Sequence, residues 1–362
     1  LGAESFWVDE VASLRYVTGR TVVEVITEVP YIDRHPPLYY ALLRGWIDLV
    51  GTGERGVRLL SAAFGIATLP ALYGVGARLF DRRVGVVGAG LLALSRFHVL
   101  HSQSARMYSL LTFGAVCSMY FLVRLHTRST WSLWAGYVGA TVVTLTAHAF
   151  GVFVVAAQAV YLGLRVLLSD DDRMAMSLRG WLGAQVVAGL VAAPLGIGLV
   201  LQAITLSEGG DVNVGWIPEP TVMRVLTTVG SYLTPETAAI GLVTVSLSGV
   251  LLAIDGSRRS AEGERSALVT LWVLLPIVGP LVLSYLLAPL FVARYTIAAV
   301  PGLFLGLAAT VRRTASVEIR YITLALLVVA LLSGLPGYYG QTAHPEWRAA
   351  TGVIEGNATE DA

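Results

Sequence analysis

The sequence predicts an all-α polytopic membrane protein. Three observations carry that prediction. Of 362 residues, 55% are hydrophobic and only 14% are charged, against about 25% charge in an ordinary soluble chain. Mean hydropathy is +0.70. The apolar residues fall in runs of roughly 17–25, the length that crosses a bilayer as helix. Such a composition excludes a soluble cytosolic enzyme, a disordered chain and a disulfide scaffold. Cys117 is the single cysteine, so neither an intrachain disulfide nor a thiolate metal cluster can form. Every basic residue is Arg and the net charge is +1. Basic stretches interleaved with aromatics are lacking, so no nucleic-acid partner is expected.

Taken in order, the chain opens with a non-spanning outer segment, 1–56, that contains Asp9-Glu10 and Asp33-Arg34-His35-Pro36-Pro37. The Pro-Pro pair stops any helix before it. The amphipathic run 38–50 that follows reads as a helix lying in the membrane interface. Ten candidate spans come next: 57–80, 84–100, 107–125, 132–147, 149–168, 181–205, 237–254, 266–288, 296–311 and 320–337. They make up one transmembrane domain, 57–337, interrupted by a longer loop at 206–236 and followed by a tail at 338–362.

Arginine sets the orientation. With the turn 81–83 on the cytoplasmic side, the inner loops collect 14 of the 25 Arg residues and the short outer connections and tail only 5. By the positive-inside rule, residues 1–56, 206–236 and the tail lie outside, and function is expected on that face. An outer start also implies one more helix ahead of Leu1. Asn357-Ala358-Thr359 in the tail is a glycosylation triplet on the same side.

The outer connections hold the polar residues able to do chemistry. Asp9 and Glu10 read either as a base, or as a metal or Arg partner, or as a solvated pair at a helix start. His35 reads as a proton carrier, metal ligand or phosphate donor, or else as a packing histidine. The turn His98–Tyr108 is dense in polar groups, including His101, Gln103, Arg106 and Tyr108. Its Arg106 fits a lipid phosphate, because guanidinium offers paired donors to phosphate oxygens, or simply snorkels. His98 and His101 stand i,i+3, which is weak evidence for a metal. His148 at the tip of a tight turn reads as structural. Arg294-Tyr295 supplies a second cation at the membrane surface.

The order of these pieces carries a resemblance. An outer Asp9-Glu10, then His35-Pro36-Pro37-Leu38-Tyr39-Tyr40, then Glu54-Arg55-Gly56-Val57-Arg58, then Arg78-Leu79-Phe80-Asp81-Arg82-Arg83, then Ser102-Gln103-Ser104-Ala105-Arg106-Met107-Tyr108, then Ala293-Arg294-Tyr295 and Glu346-Trp347-Arg348 together resemble the dolichyl-phosphate-mannose protein mannosyltransferase-like family. The chain is also similar to the aminoarabinose transferases that modify lipid A. Both are polytopic glycosyltransferases of the C fold.

The resemblance implies an enzyme that takes a sugar from a polyprenyl- or dolichyl-phosphate donor on the extracytoplasmic face of the cell membrane. The acceptor would be a hydroxyl of a protein, a glycan or a lipid. Asp9 matches the family's presumed base and Glu10 its acidic neighbour. Arg34, His35, His101, Gln103, Arg106, Tyr108, Arg294 and Tyr295 are the residues expected around the lipid phosphate and sugar, with the lipid tail between helices. Ser104 stands where the family often has Glu, so no acid is carried over there. No cofactor is required on this reading, since Arg supplies the positive charge, and the sequence does not support a divalent metal. A single base facing the phosphate predicts inversion at the anomeric carbon. A transporter or flippase of lipid-linked sugars shares the lipid groove, but the helix centres lack the charges a transport path uses. A passive scaffold leaves the clustered outer polar groups without a reason.

Overall fold

A computed structural model describes residues 1–2, 4–33, 35–168, 176–207, 216–233 and 261–340, with isolated helical positions in 243–250. Most of the candidate span 237–254, residues 208–215 and 234–236 of the loop 206–236, and the tail beyond 340 with its glycosylation triplet lie outside the described residues.

Every described element is helical. Three helices form the first segment: α1 (Val8–Val17), α2 (Val22–Glu28) and α3 (Leu38–Val50). Glu10 starts α1 by accepting the Trp7 N–H at 3.3 Å. Thr21 and Glu24 start α2 with a reciprocal capping box. Leu38 opens α3 directly after Pro37, where the Pro-Pro pair predicted a helix start. The α3 face made by Tyr39, Tyr40, Leu43 and Ile47 is buried. Its apolar stripe is therefore spent on protein contact, with Leu42 and Leu49 on the exposed side, rather than wholly on the membrane interface.

The remaining helices build the bundle: α4 (Glu54–Leu79), α5 (Arg82–Leu94), α6 (Arg96–Ser102), α7 (Tyr108–Thr127), α8 (Trp131–Ala147), α9 (Val152–Leu168), α10 (Leu178–Ala192), α11 (Ile197–Ser207), α12 (Val222–Ser231), α13 (Ala261–Leu286), α14 (Val300–Arg313) and α15 (Val317–Gly340). Among the described residues, seven helical segments are long and apolar enough to cross a bilayer, and the bent pair α5–α6 makes an eighth. α8 has 17 residues, about 25 Å at 1.5 Å per residue. Together these coincide with nine of the ten predicted spans; the tenth, 237–254, lies mostly outside the described residues.

Two spans differ from expectation. The run 84–100 is not one helix: it bends by 67° at Ser95. Ser95 adopts an extended conformation, caps α6 through the His98 N–H, and donates to the Tyr232 carbonyl at 2.9 Å. The run 181–205 likewise breaks into α10 and α11 at a 3-10 turn over Ala193–Gly196, which contains Pro194.

α7 and α14 form the centre, buried along most of their length. α4 and α5 meet at Gly76 and Gly85, where a Cβ on Gly76 would stand 2.7 Å from the Gly85 Cα. Small residues of this kind let membrane helices close on one another. Inside α7–α10 the Tyr137 hydroxyl donates to Gln158 Oε1 at 2.5 Å and accepts from Trp181 Nε1 and Gln185 Nε2, so these polar groups are paired within the bundle.

The charged groups separate to the two ends of the bundle. One end carries Asp81–Arg312 at 3.0 Å, Glu262–Arg313 at 3.3 Å and Glu264–Arg165 at 3.0 Å. The other carries Asp9, Asp33, Arg106, His148 and Arg294.

Candidate active site

Four stretches far apart in sequence converge at that second end. Helix α1 presents Asp9 in its first turn. The turn before α3 brings Asp33 and His35. The connection from α6 to α7 brings Arg106 and Tyr108. The 3-10 turn Ala293–Ala299 brings Arg294 and Tyr295.

Their contacts close into a ring. Asp9 Oδ2 lies 3.7 Å from Arg294 Nη2. Arg294 Nε donates to the Tyr108 hydroxyl at 2.9 Å, and its guanidinium lies over the rings of Tyr295 at 5.5 Å and Trp216 at 5.3 Å. Tyr295 meets His148 at 4.8 Å between ring centres, and His148 meets His35 at 5.1 Å. His35 Nδ1 sits 3.2 Å from Asp33 Oδ1. Tyr40 donates to Asp33 Oδ2 at 2.5 Å. Arg106 Nη1 donates to the Tyr40 hydroxyl at 3.1 Å, to Ser13 Oγ at 3.3 Å and to the Asp9 carbonyl at 3.3 Å, which completes the circuit.

The charges in the ring are fixed by their surroundings. Burial raises the Asp33 carboxyl, but hydrogen bonds from His35 and Tyr40 and the charge of Arg106 outweigh it and hold the group well below the usual carboxylate range. Burial works against the charge of Arg106; Tyr40, Tyr108 and the Asp9 and Asp33 carboxylates outweigh that too and keep it cationic. His148 is pushed the other way. Its burial, aided by His35, Arg106 and Arg294, drives its pKa far below the ordinary value and keeps it neutral. Its Nδ1 accepts the Phe150 N–H at 3.1 Å, so the ring proton is on Nε2. That Nε2, like Arg106 Nε, is buried without a partner among the described residues.

The expected residues divide. Asp9, His35, Arg106, Tyr108, Arg294 and Tyr295 come together, with His101 packed beside Tyr108 at 5.1 Å and against Phe97 at 4.6 Å. Glu10 does not face the ring. Its carboxylate is 1% exposed and accepts Arg58 Nε at 2.9 Å, Arg58 Nη2 at 2.6 Å and the Ala105 N–H at 2.8 Å. Gln103 also turns away, donating to the Tyr339 hydroxyl at 2.9 Å. Arg34 lies outside the described residues. Arg106 is 5% exposed and tied to α1 and α3, whereas Arg294 is the more accessible cation. His98 is bound to the Gly65 carbonyl at 3.3 Å, so the His98/His101 spacing does not build a joint site. No group of three or more His, Cys, Asp or Glu side chains arranged for a metal occurs among the described residues.

Asp33, Tyr40, Ser13, His148 and Trp216 were not singled out as site residues from sequence. Asp33 carried a signal, two residues before His35 with the Pro-Pro stop behind it. His148 carried only its place at a turn.

Residues 34–197 match the model of the family described as dolichyl-phosphate-mannose-protein mannosyltransferase, which covers just under half of the chain. Comparison with curated proteins finds no match. Among solved structures, the fold is similar to ArnT from Cupriavidus metallidurans bound to undecaprenyl phosphate: TM-score 0.59, 14% identity, 88% of this chain and 61% of that one. It is also similar to the oligosaccharyltransferase AglB from Archaeoglobus fulgidus in complex with an inhibitory peptide and a dolichol-phosphate: TM-score 0.61, 12% identity, 98% of this chain and 57% of that one. The fold is therefore the C-type polytopic glycosyltransferase fold that the sequence motifs implied. The chain spans about three fifths of the length of these proteins.

Proposed function

We propose that this chain is the membrane-embedded part of a glycosyltransferase that moves a sugar from a polyprenyl-phosphate donor to an acceptor hydroxyl. The observation that carries the reading is the convergence of one accessible carboxylate, Asp9, with the cation Arg294 at 3.7 Å, inside a ring that also holds Arg106 and His35. A lipid-phosphate leaving group needs positive charge, an attacking hydroxyl needs a base, and this ring holds both. The family match over 34–197 and the undecaprenyl phosphate and dolichol-phosphate bound in the ArnT and AglB structures support the same chemistry.

In this reading Asp9 takes the proton of the acceptor hydroxyl. The freed oxygen attacks the anomeric carbon. The bond from that carbon to the phosphate oxygen breaks, the electron pair leaves with the phosphate, and configuration inverts. Arg294 receives the phosphate, since it is the exposed cation and its aromatic neighbours form an apolar frame around the charge. His35, oriented by Asp33, is the second donor to the phosphate. Arg106 is a positioning residue that holds the Asp9 backbone through its carbonyl. Glu10 is a positioning residue as well, locking α1 to α4 through Arg58. The acceptor is a hydroxyl of a protein, glycan or lipid, approached from the extracytoplasmic side.

The test is transfer from a polyprenyl-phosphate sugar by the purified chain in detergent. Asp9→Asn is expected to lower kcat about 100-fold or more with an unchanged melting temperature. Arg294→Gln is expected to raise KM for the donor. Full transfer by Asp9→Asn sinks the assignment. Mass spectrometry of lipid-linked sugars in cells lacking the chain is expected to show one polyprenyl-phosphate sugar accumulating.

A further inference from the structure

The end of the bundle opposite Asp9 contains a groove of about 440 Å³ between the start of α5, the end of α14 and the start of α15. Four arginines line it, Arg82, Arg83, Arg312 and Arg320, and no acidic residue does. Each of the three helices contributes the same two-layer pattern. Arg83 is followed four residues later by Val87, Arg320 by Leu324, and Arg312 is preceded four residues earlier by Ala308. Residues four apart share a helix face, one turn or about 5.4 Å along the axis. The groove therefore has a guanidinium layer at the helix ends and an apolar layer one turn deeper on all three walls.

Three of the four arginines have no acidic partner among the described residues. Arg312 is paired with Asp81 at 3.0 Å. Arg82, Arg83 and Arg320 make no ion pair among the described residues. Arg320 is anchored by its Nη2 on the Thr314 carbonyl at 2.8 Å, which leaves its Nε buried without a partner among the described residues. Val86 and Tyr321, 61% and 67% exposed, flank the groove, so it opens sideways onto the lipid-facing surface of the bundle rather than only towards water.

We propose that this groove binds one anionic glycerophospholipid from the surrounding leaflet, with its phosphate among the arginines and its acyl chains against the apolar layer. Guanidinium groups grip a phosphate through paired donors, and basic pockets between membrane helices are suited to anionic head groups. A free anion would use the upper layer only; the apolar layer one turn below it on each wall, together with the sideways opening, favours a ligand with a tail. The bound lipid would tie α5 to α14 and α15, whose ends otherwise meet here, among the described residues, through the ion pair Asp81–Arg312 and through apolar contact.

The experiment uses the full chain in a neutral detergent, with phosphatidylglycerol, phosphatidylcholine or inorganic phosphate added, and reads the melting temperature and the number of bound lipids by native mass spectrometry. The expected result is stabilisation by phosphatidylglycerol alone, with one lipid retained. Arg83→Gln and Arg320→Gln are each expected to weaken the phosphatidylglycerol response about fivefold, whereas Arg83→Lys retains most of it. Arg128→Gln, exposed at the same end but outside the groove, is expected to change nothing. Equal stabilisation by the two phospholipids overturns the proposal, as does an equal effect of inorganic phosphate. A loss in Arg128→Gln as large as in the groove variants also overturns it, because diffuse charge would then explain the binding. Should a groove variant fail to fold, the comparison of the three additives on the unaltered chain still decides.

Discussion

Asp9 and Glu10 are neighbours in one helical turn with opposite fates. Asp9 is partly exposed and loosely paired with Arg294, at a distance too long for a hydrogen bond, so its carboxylate has room to turn to an acceptor. Glu10 is sealed against Arg58 and the Ala105 N–H. Removing one partner of such a buried pair leaves an uncompensated charge, and Arg58→Ala is expected to cost about 3–5 kcal/mol, read as a large fall in melting temperature. Asp9→Asn leaves that temperature in place. The residues alone put both acids at a helix start, and only the family resemblance favoured Asp9 as the base, because which of two adjacent residues meets Arg58 is decided by how α1 docks on α4. His148 gives a second separation. It is neutral in the folded chain, while an unfolded histidine takes up a proton as pH falls through about 6.5. The unfolded state thus binds more protons below that value, and stability is lost on acidification. Replacing His148 by Gln is expected to remove up to one proton's share of this slope, about 1.4 kcal/mol per pH unit, measured as the difference between melting curves of the two proteins from pH 7.5 to 5.5.

At the scale of elements, the bend at Ser95 decides where the site residues of the α6–α7 connection come to stand. The hydrophobic run 84–100 was legible as one span because nothing in its composition marks a break; the residues at the joint, Leu94-Ser95-Arg96, include neither Pro nor Gly. What breaks it is tertiary. Ser95 serves α6 as its cap and the Tyr232 carbonyl as a donor, across 137 positions of sequence, and no local pattern encodes that partner. The result redirects α6 so that His101 packs beside Tyr108, the residue that holds Arg294. Ser95→Ala removes a helix cap and a buried donor together. It is expected to cost about 1–2 kcal/mol and to raise KM for the donor through the displaced Tyr108–Arg294 contact. A variant that loses stability with an unchanged KM would show that the bend serves packing alone. By contrast, the start of α3 was fully legible, because Pro36-Pro37 excludes helix before it by covalent geometry alone.

For the molecule as a whole, the informative pattern was the uneven placing of a few charges. Arg165, Arg312 and Arg313, assigned to inner loops by counting, lie at one end, paired with Glu264, Asp81 and Glu262. The residues assigned to the outer connections gather at the other and close the ring around Asp9. Counting loops could separate the two ends but not compose the site, since the ring joins positions 9, 33, 106, 148 and 294 through contacts that only the packed bundle creates. The counting also carries a sidedness that the proposed chemistry depends on, and it can be measured directly. In a Cys117→Ser background, Val23→Cys on α2 and Trp131→Cys at the start of α8 place single thiols at residues 68% and 84% exposed, on opposite ends of the bundle. An impermeant maleimide is expected to label Val23→Cys in intact cells and Trp131→Cys only after permeabilisation. The reverse pattern would leave the fold intact but put Asp9 in the cytoplasm. The groove of Arg82, Arg83, Arg312 and Arg320 would then face outward, away from the leaflet whose negative surface potential its charge complements, and the extracytoplasmic transfer reaction would fall with it.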